Sequence, residues 1–228
     1  MSPNKEFSRF AKTYSRCSLI QSRVAKRLVE KISGTYSHIV DIGCGSGAFF
    51  NAYKKDFKTF LAIDQSLEML QIHPSTIGVE KMIGDFNDQR MFDILKNRKF
   101  DLIVSSSALQ WSQNLDWTLL QIASFKKPVA LALFTSGTFK KLHDIAGITS
   151  PIRSKDETIK LLKKHFDLKI DVIKYRLYFS DTLSMLRYIK LSGVSGGVQK
   201  LSITQTRKIL NNYPFSYLQF EVVVAIGK

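Results

Sequence analysis

The stretch Val40-Asp41-Ile42-Gly43-Cys44-Gly45-Ser46-Gly47 decides how this chain is read. Ile39 to Ile42 is an apolar run, expected as a buried strand, and it stops at three glycines in alternate positions. Beyond them, Ala48-Phe49-Phe50-Asn51-Ala52-Tyr53 turns helical. A strand, a glycine turn and a helix together bring backbone N–H groups and a helix N-terminus up to a ligand. Side chains would block that approach, so glycine stands at the closest points.

Outward from the turn, apolar strands alternate with helices. Strands are expected at 38–42, 60–63, 79–83, 100–104 and 129–134. Helices are expected between them at 47–55, from a Ser66 cap onward, at 88–97 and at 114–125. This pattern predicts an α/β, Rossmann-like fold: a mostly parallel sheet with helices on both faces. Upstream, Ile20, Val24, Leu28 and Ile32 fall four apart and predict a helix over 17–33, stopped by Gly34. Phe7, Phe10, Ala11 and Tyr14 share one face of a shorter helix, read as a lid.

Downstream, a helix is expected at 138–145, and Ser154 to Glu157 has the spacing of a capping box opening a helix to His165. A strand at 167–179, a helix at 182–191, a break at Ser195-Gly196-Gly197, a helix at 204–210 and a strand at 217–226 follow. The expected organisation is a single domain. Residues 1–33 form the lid and N-terminal helices, 34–135 the cofactor-binding core, and 136–228 a substrate-side half with a helical insert near 180–200.

The totals set bounds. The chain has 228 residues, 44% of them hydrophobic, enough for one sizeable core. No apolar run reaches the ~20 residues that span a bilayer. Met1 to Phe10 is polar, without the apolar core of a signal peptide, so a cytoplasmic location is expected. Two cysteines and four histidines show neither a disulfide framework nor metal-ligand spacing. Thirty-four Lys and Arg against 19 Asp and Glu give a net charge of +15. Such a field attracts nucleic acid, an anionic membrane or an acidic protein, and it is equally the mark of a lysine-rich solvated surface.

In open α/β sheets, ligands bind outside the carboxyl ends of the strands. Four of these ends carry glycine or polar residues: Gly43–Gly47, Asp64, Asp85 and Ser105–Trp111. The glycine spacing lacks the last position of the dinucleotide fingerprint. Asp41 would repel a pyrophosphate and welcome a cation, which favours a sulfonium cofactor, S-adenosylmethionine. Asp64, about 20 residues past the glycines, is placed for ribose hydroxyls. Asp85 is placed for the adenine amino group, with the Phe86 N–H beside the ring. Plainer roles stand beside these: Asp41 ordering the turn, Asp64 as a helix cap, Asp85 as a turn residue. Cys44 reads as a small buried residue of the turn.

Taken as a set, Ile39 to Gly47, Ala62-Ile63-Asp64 and Gly84-Asp85 resemble the class I S-adenosylmethionine-dependent methyltransferases over residues 15–135. The resemblance implies a seven-stranded sheet whose last strands form an antiparallel pair. It implies a cofactor site of Tyr14, Asp41, Gly43, Cys44, Gly45, Gly47, Asp64, Gln65, Met69, Gly84, Asp85, Phe86, Ser105 and Ser106. A narrower resemblance covers nearly the whole chain. Phe10-Ala11-Lys12-Thr13-Tyr14 with Gln21, Ser105 to Trp111 with its Ala-Leu-Gln-Trp, Phe134-Thr135 with Leu142-His143, Leu186 to Lys190 with Gly193-Val194, and Tyr213 to Tyr217 are similar to the malonyl-acyl-carrier-protein O-methyltransferase family of biotin synthesis.

That family implies methyl transfer to the free carboxylate of a malonyl group on acyl carrier protein, without a metal. The carboxylate is already ionised at pH 7, so positioning and a dry pocket matter more than a strong base. Tyr14 and Trp111 are the candidate walls. Arg187, then Lys190, are the candidates to hold the malonyl carboxylate. The acidic carrier would be drawn by the +15 field to Arg23, Lys26 and Arg27 together with Arg187 and Lys190. Neither a membrane nor nucleic acid is expected as a partner. The competing readings are a methyltransferase for another small acid or a quinone precursor, an RNA methyltransferase, and a non-catalytic adaptor. No Asn-Pro-Pro-aromatic motif follows the fourth strand, and no acid or glycine of the set is missing.

Overall fold

The computed structural model describes residues 19–192 and 201–228. The expected lid helix with Tyr14, Cys17 and the glycine break after Gly193 lie outside the described residues. Seven strands form one sheet in the order β3-β2-β1-β4-β5-β7-β6. They are β1 (His38–Ile42), β2 (Thr59–Asp64), β3 (Val79–Ile83), β4 (Leu102–Ser106), β5 (Val129–Phe134), β6 (Leu168–Tyr178) and β7 (Tyr217–Gly227). The first five pair in parallel, and β7 runs antiparallel to both β5 and β6. The ends of β1, β2, β3, β4 and β5 that lead into loops therefore share one edge of the sheet.

Burial follows position in that order. Every residue of β5 is buried, as a central parallel strand requires, while the outer strand β6 mostly alternates and exposes Lys169, Asp171, Lys174 and Arg176. Charge along an outer strand discourages pairing with other chains. One face of the sheet is covered by α1 (Leu19–Lys31), α2 (Ala48–Ala52), α3 (Leu67–Ile72), α6 (Lys140–Ala146), α8 (Thr182–Ser192) and α9 (Ile203–Asn212). Ile20, Val24 and Leu28 of α1 join Met185 and Ile209 of the last two helices there. The other face is covered by α4 (Gln89–Lys96), α5 (Leu115–Ser124) and α7 (Lys155–His165), through residues such as Phe92, Leu119 and Leu162. Phe92 meets Trp117 edge-on at 5.5 Å between ring centres. Burial of each such side chain is worth roughly 1.5–3 kcal/mol. No helix among the described residues is long and apolar enough to cross a membrane.

Several local details differ from expectation. β4 starts at Leu102 and runs through Ser106, two residues later than the apolar run suggests. Asp101 is excluded from the strand because its carboxylate accepts from Ser37 N (3.0 Å) and His38 N (2.9 Å), tying the start of β4 to the start of β1. A 3-10 turn at Leu109–Trp111 was not foreseen. Ser154 caps α7 by accepting from Glu157 N at 3.2 Å, but the Glu157 carboxylate turns to Arg153 at 3.4 Å and leaves the box half-formed. A complete capping box opens α9: Ser202 N donates to Gln205 Oε1 (2.9 Å) and Gln205 N to Ser202 Oγ (3.1 Å).

Asp101→Ala should lower the unfolding free energy by about 2 kcal/mol, because two backbone N–H groups lose a charged acceptor. Urea denaturation measures this; a midpoint equal to wild type would show that water replaces the carboxylate without cost.

Candidate functional site

The pairing of β1 with β2 continues past the end of β1. Gly43 N and Cys44 N both donate to Ile63 O, at 2.8 and 2.9 Å. The chain then reverses through Gly43, Gly45 and Gly47, with φ of 74°, 53° and 86°. These values lie in the region that favours glycine. A Cβ on Gly43 would lie 2.3 Å from the Ala108 Cβ, whereas one on Gly45 would meet nothing within 4 Å. Gly43 is thus glycine for close packing, and Gly45 presents bare backbone to open space.

That space is a cavity at the carboxyl ends of β1, β2 and β4. Gly43, Cys44, Gly45 and Ser46 form one wall. Asp64, Gln65 and Met69 form the second, and Phe86, Ser106, Ser107, Ala108 and Trp111 close the rest, with Gln21 of α1 reaching in. Asp64 is the electrostatic centre. Its Oδ2 accepts from Gly45 N and its Oδ1 from Ser66 N, both at 2.9 Å. Burial raises its pKa above the usual carboxylate value, and the charge of Asp85 adds to this. Hydrogen bonds from the Ser66, Gly45 and Gln65 backbone pull the other way. Each carboxylate oxygen retains a lone pair for a ligand hydroxyl. The Ser66 side chain does cap α3, accepting from Met69 N.

Other expected site residues sit elsewhere. Asp41 does not meet the cavity directly. It pairs in register with Ala62 and Val104 and is fully buried in the sheet, and neither carboxylate oxygen has a hydrogen-bond partner among the described residues. Ser105 turns its hydroxyl inward to Ile42 O at 2.7 Å. Gly84 is packing: a Cβ there would lie 2.8 Å from Ile63 Cγ2. Gly47 faces Pro74 and His73. Asp85 uses Oδ1 to accept from Asn87 N (2.8 Å) and Asn87 Nδ2 (2.9 Å) and so shapes its own loop. Arg187 and Lys190 are exposed on α8 and are not among the described residues lining the cavity.

Ser46, Ser107 and Ala108, within the strand-end stretches read from the sequence, line the cavity, and Ala48 and Gln21 line it without having been assigned to it from the sequence. Ser107 carried a signal, since it follows the strand end in a triple serine. With φ of 65°, it lines the same cavity as Gly43, Cys44, Gly45 and Ser46. The Ser106 and Ser107 hydroxyls have no partner among the described residues. Cys44 is held neutral, because burial and the Asp41 and Asp64 charges push its thiol well above the ordinary value.

A family model described as a methyltransferase domain matches residues 40–134. A malonyl-[acyl-carrier protein] O-methyltransferase from Calditerrivibrio nitroreducens is 24% identical over 97% of this chain and 89% of its own length. Malonyl-[acyl-carrier protein] O-methyltransferase 2 from Ilyobacter polytropus is 30% identical over 75% of this chain and 69% of its own. Among solved structures, an S-adenosylmethionine-dependent methyltransferase from Thermotoga maritima superposes with a TM-score of 0.60 at 16% identity, covering 99% of each chain.

Asp41 makes a prediction about pH. Burial, and next the charge of Asp64, raise its folded-state pKa well above the ordinary value. The folded protein then binds a proton where the unfolded chain does not, so stability falls as pH rises through that window. Asp41→Asn should therefore stabilise the protein at pH 8 by on the order of 1 kcal/mol, read as a higher melting temperature. The gain should shrink towards pH 4. A gain that is absent, or constant with pH, would mean that Asp41 is not a buried charge.

Proposed function

Because this chain belongs to the family of S-adenosylmethionine-dependent methyltransferases, we propose that it methylates the free carboxylate of a malonyl group held as a thioester on acyl carrier protein. The product would be the methyl ester that primes pimelate synthesis for biotin. The cofactor is S-adenosylmethionine, which supplies an electrophilic methyl group on a sulfonium. The names of the curated relatives support the substrate, and one observation at the site supports the carboxylate. Among the described lining residues the ionisable side chains are Cys44 and Asp64. Cys44 is kept neutral, and Asp64 is engaged by Gly45 N and Ser66 N. A site without a free base suits a nucleophile that arrives already ionised.

The residues fit the cofactor on their own chemistry. The open side of Gly45 admits a ligand against bare backbone. Asp64 is assigned to accept from the ribose hydroxyls, and Gln65, Met69 and Phe86 to enclose the base. The unpartnered hydroxyls of Ser106 and Ser107 are assigned to steady the incoming carboxylate, and Trp111 to exclude water from it. These neutral donors orient a carboxylate without the tight ion pair that would blunt its attack. Arg187 and Lys190, exposed on α8, are assigned with Arg23, Lys26 and Arg27 of α1 to docking the acidic carrier. We place the reaction in the cytoplasm, whose reducing poise suits the free Cys44 thiol.

Asp64→Ala should weaken binding of S-adenosylhomocysteine at least about tenfold, or ~1.4 kcal/mol, by calorimetry. Unchanged affinity would remove Asp64 from the cofactor site. Purified protein should methylate malonyl-acyl carrier protein in preference to RNA or free small acids, and added salt should raise the KM for the carrier. Methylation of another acid with malonyl thioesters left untouched would replace the substrate assignment.

A further inference from the structure

A second cleft, of ≈410 Å³, also has Trp111 in its lining, so one residue borders both spaces. Its polar lining comes from Gln110, Ser112, Gln113 and Arg153, with Ile152 as an apolar patch. Gln110 is 6% exposed. Its Nε2 donates to Ser107 O at 2.7 Å, which fixes the orientation of the amide, because a carbonyl only accepts. Its Oε1 is buried without a partner among the described residues. A buried acceptor left unpaired is destabilising, and a donor arriving with a ligand would remove that cost.

Arg153 supplies the opposite half. Its Nη1 donates to Ser112 O at 3.1 Å and its Nη2 to Gln113 O at 3.4 Å, while Nε faces Glu157 at 3.4 Å. Each terminal nitrogen keeps a second N–H. The Arg153 backbone carbonyl accepts from Ser136 N at 2.8 Å, which anchors the residue to the loop after β5. The nearby Glu157 carboxylate offsets the guanidinium charge. The cleft therefore offers an acceptor and donors with little net charge, which suits a neutral amide better than a carboxylate or phosphate.

We infer that this cleft is the subsite for an amide-bearing arm that carries the acyl group, with an arm N–H donating to Gln110 Oε1 and an arm carbonyl accepting from Arg153. The inference rests on the function proposed above and deepens it. The acyl end lies in the first cavity, Trp111 stands at the thioester, and the arm leaves through the second cleft. Discrimination between a carried malonyl group and a small free acid then resides in Gln110 and Arg153.

The test compares malonyl-pantetheine, which has two amides, with the S-ethyl thioester of malonic acid, which has none. Two added hydrogen bonds should give wild type about a tenfold preference in kcat/KM for the pantetheine thioester, expressed mainly in KM. Gln110→Leu and Arg153→Met should each cut the preference to about threefold or less, with S-adenosylhomocysteine affinity unchanged. Unacylated pantetheine should also inhibit wild-type methylation of the S-ethyl thioester competitively. That second measurement holds even if a variant fails to fold. Equal kcat/KM for the two thioesters in wild type, a preference retained in both variants, or no inhibition by pantetheine would each overturn the subsite while leaving the malonyl assignment intact. Turnover of neither thioester would overturn both.

Discussion

The hydrogen bond from Gly45 N to Asp64 Oδ2, 2.9 Å long, joins the ends of two adjacent parallel strands across a turn with glycine at every other position. With Gly43 N and Cys44 N on Ile63 O, it fixes the turn to β2 rather than to the helix that follows. The backbone can hold this path only at positive φ, and the near approach of Ala108 at Gly43 leaves no room for a Cβ. The site is therefore preorganised by backbone contacts, and Asp64, the carboxylate among its described lining residues, is already held from two sides before a ligand arrives.

A second set of hydrogen bonds links the loops at the same edge of the sheet. Asp85 orients Asn87; Asn87 Oδ1 accepts from Gln113 N at 2.9 Å; and Arg153 holds the Ser112 and Gln113 carbonyls. The loops after β3, β4 and β5 are coupled in this way, and Trp111 sits in the middle of them. Asp85, expected beside a ligand, accepts from Asn87 and supports the loop that follows. Polar residues converging on one sheet edge can divide the work between touching the ligand and fixing the loops that carry it.

The ion pairs do little for the fold. Arg27–Glu30, Lys96–Asp93 and Lys140–Asp144 are solvent-exposed pairs of helix neighbours, each worth roughly 0–1 kcal/mol. Stability rests on the two apolar layers either side of the sheet. The net charge of +15 is left free to act at long range on whatever approaches.

Local chemistry sufficed for the order of strands and helices, the glycine turn, the Ser66 cap and the place of Asp64, because each depends on residues close in the chain. Hydrophobic period, φ freedom and capping are local properties, and they read directly from Val40 to Gly47 and from Phe60 to Ser66. Tertiary structure decided which way the other acids and serines face. Asp101 ties the start of β4 to Ser37 and His38, Ser105 bonds inward to Ile42, and Ser106 and Ser107 line the cavity. Asp41 went into the sheet interior because its register against Ala62 and Val104 places it there. Gln110, Trp111 and Arg153 share a cleft because the strand order sets the loop after β4 beside the loop after β5, to which Ser136 N ties the Arg153 carbonyl. Contacts between residues tens of positions apart depend on register and strand order, and no local pattern carries that information.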